Sequence, residues 1–352
     1  MALENALRLL NRSIVSKSIN SFNYTNPVLE KIINKTYMAV IKRRPEVWEY
    51  LYDNPVVVRK TQRLKDSIHR FNSAKMKTLL DDFKPDAVVC TQAFPCGIVA
   101  DLKKSNGLNI PLIAVLTDYA PHSYWIYNDV NSYVVPSADT GRRLVENGVS
   151  EEKIKVLGIP IDPKFYTTKP KADIFNKYSL DSSKPVILIM GGGQGLGPIN
   201  KLIALLDRSS ADMQILAITG MNKRLYRSLA RRKGSFRKKT LIMPYSESID
   251  EIMEIATVII TKPGGITTAE ALSKELPMII LNPLPGQEAM NTRYLLQRKL
   301  AIKAKDEREA VLFLEELLNN PDKLSNIKKE IRKEVNPDSS IKIGKLILGS
   351  VR

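Results

Sequence analysis

The chain has 352 residues, enough for two domains of ordinary size with a core each. No apolar run approaches the roughly 18 residues of a spanning helix, and two cysteines, Cys90 and Cys96, exclude a disulfide framework and fit a reducing compartment. A formal charge of +17 points to a polyanionic neighbour or a very soluble surface, and two histidines without a Cys or carboxylate cluster exclude a zinc site.

In chain order, Leu3, Leu7, Leu10 and Ile14 recur at helical spacing and predict one amphipathic helix over residues 1–19. The next segment, to about Arg70, mixes Tyr24, Tyr37, Trp48, Tyr50 and Tyr52 with the basic triplet Lys42, Arg43 and Arg44. Interfacial aromatics beside cations suit a surface that docks on lipid headgroups, and buried core aromatics are the competing reading. A helix over residues 71–80 leads to a strand over residues 85–90. A second buried strand, residues 111–117, ends in TDYAPHSYW, which places Asp118, His122 and Trp125 at a strand carboxyl end, where open α/β sheets gather ligands. A turn cap for Asp118 and a satisfied loop histidine for His122 are the plainer alternatives. Strands over 132–135 and 154–157, with a helix between them, complete the first half.

Beyond a Pro- and Lys-rich stretch, strands at 186–190, 214–219, 240–243, 258–261 and 278–281 alternate with helices starting near Ile199, Asn222, Ile249 and Thr268. Such alternation implies a parallel sheet covered on both faces. Two turns stand out. Five of the seven residues from Gly191 to Gly197 are glycine, between a strand and a helix, which is costly for packing alone. Lys262-Pro263-Gly264-Gly265 breaks the 258–261 strand just before a helix that Thr267 or Thr268 can cap, so its first-turn amides favour an anion, most often phosphate. The glycine spacing departs from G-x-G-x-x-G and no acidic residue follows at the dinucleotide offset, so the pair of turns suggests a nucleotide diphosphate held differently. Between 223 and 239 lie nine Lys or Arg and no Asp or Glu. A solvated face, an anionic membrane and nucleic acid are the three readings of that block, although no nucleic-acid-binding motif accompanies it.

The ordered set MGGGQGLGP, ITGMNK, ITKPGGITTAEAL and NPLPGQEAMN, over a span from about Asn20 to Glu315, resembles the monogalactosyldiacylglycerol synthase and processive diacylglycerol glucosyltransferase family. That family is related to the enzyme that adds N-acetylglucosamine to lipid I. The resemblance implies an α/β fold of two Rossmann-like domains facing a cleft (GT-B type), with a C-terminal helix crossing back to the N-terminal domain. It implies an acceptor and membrane-binding domain over 1–165, a linker over 166–184, a UDP-sugar-binding domain over 185–325 and a helical tail over 326–352. In the family a strand and a Gly-rich loop ending in histidine lead into the first helix. This chain begins almost where that helix would, so the expectation is either a start further upstream or a domain lacking its first strand. Gln92 also stands where the family usually has a histidine.

The function implied is inverting transfer of glucose or galactose from a UDP-sugar to diacylglycerol, on the inner face of the cell membrane, where anionic lipids attract the basic protein. UDP-glucose or UDP-galactose is a substrate rather than a cofactor, and no nucleic acid is expected. By resemblance the donor residues are Gly191, Gly192, Gly193, Asn222, Met243, Pro244, Tyr245, Lys262, Gly264, Gly265, Ile266, Thr267, Glu270, Gln287, Glu288 and Asn291, with Glu270 on the ribose, Gln287 and Glu288 on the sugar, and Asn291 securing the loop that ends at Gly286. Arg43, Arg44, Trp48 and Trp125 are expected on the acceptor and membrane side. No Asp-x-Asp occurs, so no metal is expected, and leaving-group charge falls to amides, dipoles and cations. Asp118 is the first candidate for general base and His122 the second, although an aspartate serves well near neutral pH only when buried. An N-acetylglucosaminyltransferase on a polyprenyl carrier, and a catalytically silent UDP-sugar-binding protein, are the other readings.

Overall fold

A computed structural model describes residues 1–25, 73–121 and 123–351. Its contacts divide the chain into two units, one of Met1–Pro163, Pro285–Gln287 and Asp338–Arg352, the other of Lys164–Leu284 and Glu288–Pro337. Each is an α/β unit built on a parallel sheet.

The first unit has strands β1 (Val88–Cys90), β2 (Leu112–Val115), β3 (Ser132–Val135) and β4 (Ile154–Val156), hydrogen-bonded in that order. Every residue of β2 is buried, so its alternating side chains build two cores. Leu112, Ala114 and Leu116 pack with Ile98, Leu102 and Leu79 on one face, while Ile113 and Val115 pack with Leu7, Ile343 and Ile347 on the other. That second face is covered by the two ends of the chain, helices Ala2–Leu10 and Ser339–Ser350. The C-terminal helix is pinned there by polar bonds as well. Ser339 Oγ donates to Ile159 O at 2.7 Å, Ser340 Oγ donates to Ile161 O, and beside them Asn5 Nδ2 donates to Asp162 Oδ2 at 2.7 Å. The crossing back of the last helix is therefore present.

Three expectations need correction here. The first helix stops at Leu10 rather than Ile19, because Asn11 turns extended and its Oδ1 accepts from the N–H and Oγ of Ser13, an Asx turn that competes with the helix ladder. The stretch 166–184, expected as linker, contains helix Lys171–Tyr178, which packs on helix Ile249–Ile255 under a charge cluster centred on Glu251. The tail is two pieces rather than one, since helix Pro321–Glu334 belongs to the second unit and Ser339–Ser350 to the first. Arg43, Arg44, Trp48 and His122 lie outside the described residues.

The second unit has β5 (Val186–Met190), β6 (Gln214–Ile218), β7 (Thr240–Met243), β8 (Val258–Thr261), β9 (Met278–Leu281) and β10 (Ala301–Ala304). Their order in the sheet is β10-β9-β8-β5-β6-β7, with every pairing parallel. Successive strands step outward from β5 in one direction and from β8 in the other, which is the doubly wound order with its switch point between β5 and β8. β10 was not expected. It is an edge strand whose AIKA sequence is only half-buried, so it lacks the apolar run that marks β5, β8 and β9. Among the described residues no helix is long and apolar enough to cross a membrane.

Candidate functional site

Both glycine turns leave the sheet at that switch point. Met190 and Thr261 are register partners at the carboxyl ends of β5 and β8, and Ile218 and Ile280 continue the same level on β6 and β9. The turns after these strands consequently stand in one row, in the crevice where doubly wound sheets bind ligands.

The turn after β5 is shaped by its own backbone. A Cβ on Gly191 would fall 2.1 Å from Leu196 O, and one on Gly195 would fall 1.9 Å from Thr219 O, so neither position admits a side chain. Gly195 N–H donates to Gly192 O, and Met221 N–H donates to Gly193 O at 2.8 Å, which welds this turn to the one after β6. Asn222 completes the joint: Oδ1 caps helix Lys223–Ala230 through Leu225 N–H at 3.0 Å, and Nδ2 donates to Gly195 O at 3.2 Å. Its amide is a brace for the loop rather than a group held out toward a donor. Tyr245 is tied into the same row, its N–H donating to Gly220 O, and its side chain is 54% exposed.

The turn after β8 differs. Helix Gly265–Ser273 starts three residues before the expected Thr268, with Gly264 as N-cap and no side chain capping it. Gly264, extended at φ −65° and ψ 139°, is the residue from which the helix starts. Neither Thr267 nor Thr268 is a cap; Thr268 is fully buried inside the helix. The N–H groups of Gly265, Ile266 and Thr267 are then first-turn donors without intrahelical acceptors, at the positive end of the helix dipole. Nothing within 4 Å would meet a Cβ on Gly264, so the space beside that residue, at the start of the helix, is open. Glu270 lies one turn further along the same helix and is half-buried.

Behind this turn lies a buried brace. Lys262 Nζ sits 3.0 Å from Glu288 Oε1, with the two side chains only 10% and 17% exposed. Glu288 Oε2 accepts Leu284 N–H at 2.7 Å, and the buried Asn291 donates from Nδ2 to Pro263 O at 3.0 Å. Glu288, expected to read sugar hydroxyls, thus already holds the loop after β9, and Asn291 reaches across to the turn after β8. Sequence reading missed this coupling, because Lys262 and Glu288 become neighbours only through the β8–β9 register.

In the first unit, Cys90 and Ala114 are register partners, so the residues that follow β1 and β2 emerge at one edge. Gln92 is exposed there as N-cap of helix Ala93–Asn106, and Asp118 is half-buried three residues beyond β2. The next residue is anchored, since Thr140 Oγ1 donates to Tyr119 O at 2.8 Å. Trp125 is a correction: it is 7% exposed and packs in the core with Ile98 and Tyr133, so it does not face a membrane. The Cys96 thiol is pushed up by its hydrogen bond with Cys90 and by burial, which makes this pair structural rather than nucleophilic.

Residues 1–161 match the family described as monogalactosyldiacylglycerol (MGDG) synthase, and residues 186–341 match the glycosyltransferase family 28 C-terminal domain. The chain is 31% identical over 328 residues, 93% of its length and 84% of the relative's, to a processive diacylglycerol beta-glucosyltransferase of Bacillus thuringiensis. The chain belongs to the MGDG synthase family of glycosyltransferases. The Bacillus mycoides protein of the same name is 31% identical over 90% of this glycosyltransferase and 81% of the relative. Solved structures show the fold: MurG of Acinetobacter baumannii, with TM-score 0.58 and 16% identity over 79% of this chain and 77% of that one, and a UDP-GlcNAc 2-epimerase of Neisseria meningitidis, with TM-score 0.58 and 15% identity over 81% and 82%. One of these neighbours is an epimerase, so the fold alone does not select transfer; the family membership does. This enzyme is accordingly a glycosyltransferase.

Proposed function

We propose that this glycosyltransferase moves glucose or galactose from its UDP-sugar to the free hydroxyl of diacylglycerol, at the cytoplasmic face of the cell membrane. The observation that carries the reading is the uncapped helix start at Gly264 and Gly265, beside the glycine turn after β5, in a chain whose relatives are named diacylglycerol glucosyltransferases. The first-turn amides of Gly265, Ile266 and Thr267 would hold the diphosphate, with Glu270 near the ribose and Tyr245 against the uracil. As the bond from the anomeric carbon to UDP breaks, charge collects on the phosphate facing those amides. They therefore stabilise the transition state more than the ground state, and no metal is required for that effect.

The acceptor oxygen attacks the anomeric carbon, its proton passes to a base, and UDP leaves with the bonding pair. Donor sugars of this kind are α-linked, and the relatives' name specifies a β product, so transfer proceeds with inversion through a single displacement. Asp118, at the carboxyl edge of the first sheet, is the base proposed for the acceptor hydroxyl. Purified protein incubated with radiolabelled UDP-glucose or UDP-galactose and diacylglycerol in mixed micelles should yield a lipid-soluble label with β stereochemistry. Absence of lipid-soluble label with both donors would discard the reading.

A further inference from the structure

Helix Lys223–Ala230 and the segment that follows it carry the densest charge of the second unit. Lys223, Arg224, Arg227, Arg231, Arg232, Arg237 and Lys239 are all exposed, while Leu229 beneath them is fully buried and fixes the helix to the sheet. Elsewhere in this unit the lysines are mostly spoken for: Lys169 and Lys177 by Glu251, Lys184 by Asp212, Lys201 by Glu307 and Lys274 by Glu254. Among the described residues none of Lys223, Arg224, Arg227, Arg231, Arg237 and Lys239 has an ion-pair partner. Arg232 bonds only to neutral groups, Asn200 Oδ1 and the Phe236 ring.

This arrangement works against the helix that bears it. Lys223 and Arg224 occupy the first turn, where no acidic residue offsets them and the dipole disfavours cations. Lys223, Arg227 and Arg231 follow at spacings of four, which sets like charges over one another on one face. An ordinary solvated face alternates its charges. One exposed apolar side chain stands at the start of the same helix: Met221, 61% exposed, one residue before the N-cap. Cations backed by a protruding methionine are the chemistry of a surface that meets phosphate headgroups and dips its apolar tip between them.

We propose that this face of the second unit is a docking surface for an anionic lipid bilayer. Met221 sits on the carboxyl edge that carries the glycine turns, so docking brings the rim of the donor site to the bilayer. The choice of a bilayer over other polyanions rests on the reading that the acceptor is diacylglycerol, while the charge and the exposed Met221 are independent of it.

The test uses the full chain in flotation with phosphatidylcholine vesicles, alone or doped with phosphatidylglycerol, comparing wild type with the triple variant Arg224→Glu, Arg227→Glu, Arg231→Glu. Wild type is expected to float only with the anionic vesicles and to release as salt rises. The variant should lose roughly a hundredfold or more in partitioning, while its affinity for UDP in calorimetry and its turnover with diacylglycerol in neutral micelles stay at wild-type level. Equal flotation of variant and wild type overturns the proposal, as does a wild type that ignores anionic vesicles. Tighter binding to a single-stranded oligonucleotide than to anionic vesicles at the same salt also overturns it. Salt-sensitive flotation lost in the variant, from a protein that makes no glycolipid in micelles, supports the docking surface and removes the diacylglycerol reading alone.

Discussion

Lys262 Nζ lies 3.0 Å from Glu288 Oε1, and this pair joins the turn after β8 to the loop after β9. The uncapped helix start at Gly265 and the loop after β9 are thereby tied to one another rather than two independent loops. Asn291, bonded to Pro263 O, adds a second tie between them.

Replacing Glu288 by Ala leaves the Lys262 ammonium and the Leu284 N–H without their partner in a mostly buried setting. The expected cost is about 2–3 kcal/mol of unfolding free energy, measured in urea. Glu288→Gln keeps an acceptor for Leu284 N–H and should lose about half as much. Both variants should also raise the KM for the donor, because the turn that presents the amides is no longer fixed. Equal loss in the two variants would show that the bond to Leu284 contributes nothing.

Two glycines should separate folding from binding. Gly195→Ala drives a Cβ to 1.9 Å from Thr219 O at a φ of +58°, so it is expected to cost about 3 kcal/mol or more. Gly264→Ala meets open space at a φ of −65° and should change stability by no more than about 0.5 kcal/mol. Its effect belongs to the ligand: UDP affinity in calorimetry should fall at least about tenfold, or 1.4 kcal/mol. Unchanged affinity would move the diphosphate away from this turn.

The sheet of the second unit was legible because β5, β8 and β9 are buried on both faces and read as unbroken apolar runs. β10 escaped because it is an edge strand with Lys303 exposed in its middle. The two glycine turns were legible from composition, but which glycines serve packing was not: Gly191 and Gly195 are required by backbone 2 Å away, whereas Gly264 is not. Trp125 was misplaced since an aromatic in a loop carries no periodicity to reveal the side it faces. Asn11 ended its helix through a bond to Ser13, a local competition that the leucine spacing does not register.

Acid should weaken the contact between helices Lys171–Tyr178 and Ile249–Ile255. Hydrogen bonds from Lys169 and Lys177 lower the Glu251 carboxyl from its ordinary range to about 2. The folded value lies below the unfolded one, so the stabilisation is complete above about pH 4.5 and is lost as pH falls toward 2. The lysines are half-exposed, and screening reduces the contribution to about 1–2 kcal/mol. Glu251→Gln should lose that amount at pH 7, and the difference between wild type and variant should shrink below about pH 4.5 and approach zero only near pH 2 in paired urea titrations. A difference that stays constant with pH would assign the loss to packing.

Asp118 tests the chemistry. It stands at the carboxyl edge of the first sheet, beside the Tyr119 carbonyl that Thr140 holds in place, so Asp118→Asn preserves shape and hydrogen-bonding length while removing the basic oxygen. As general base for the acceptor hydroxyl, its loss should lower kcat about 10²–10⁴-fold. The amides proposed to hold the donor belong to the second unit, so UDP affinity should be unchanged and the whole effect should fall on turnover. Slow hydrolysis of the UDP-sugar by water, which does not depend on the acceptor hydroxyl, sharpens the comparison. If Asp118 deprotonates the acceptor, transfer to diacylglycerol falls much further than hydrolysis in the variant. If it only positions its loop, the two rates fall together.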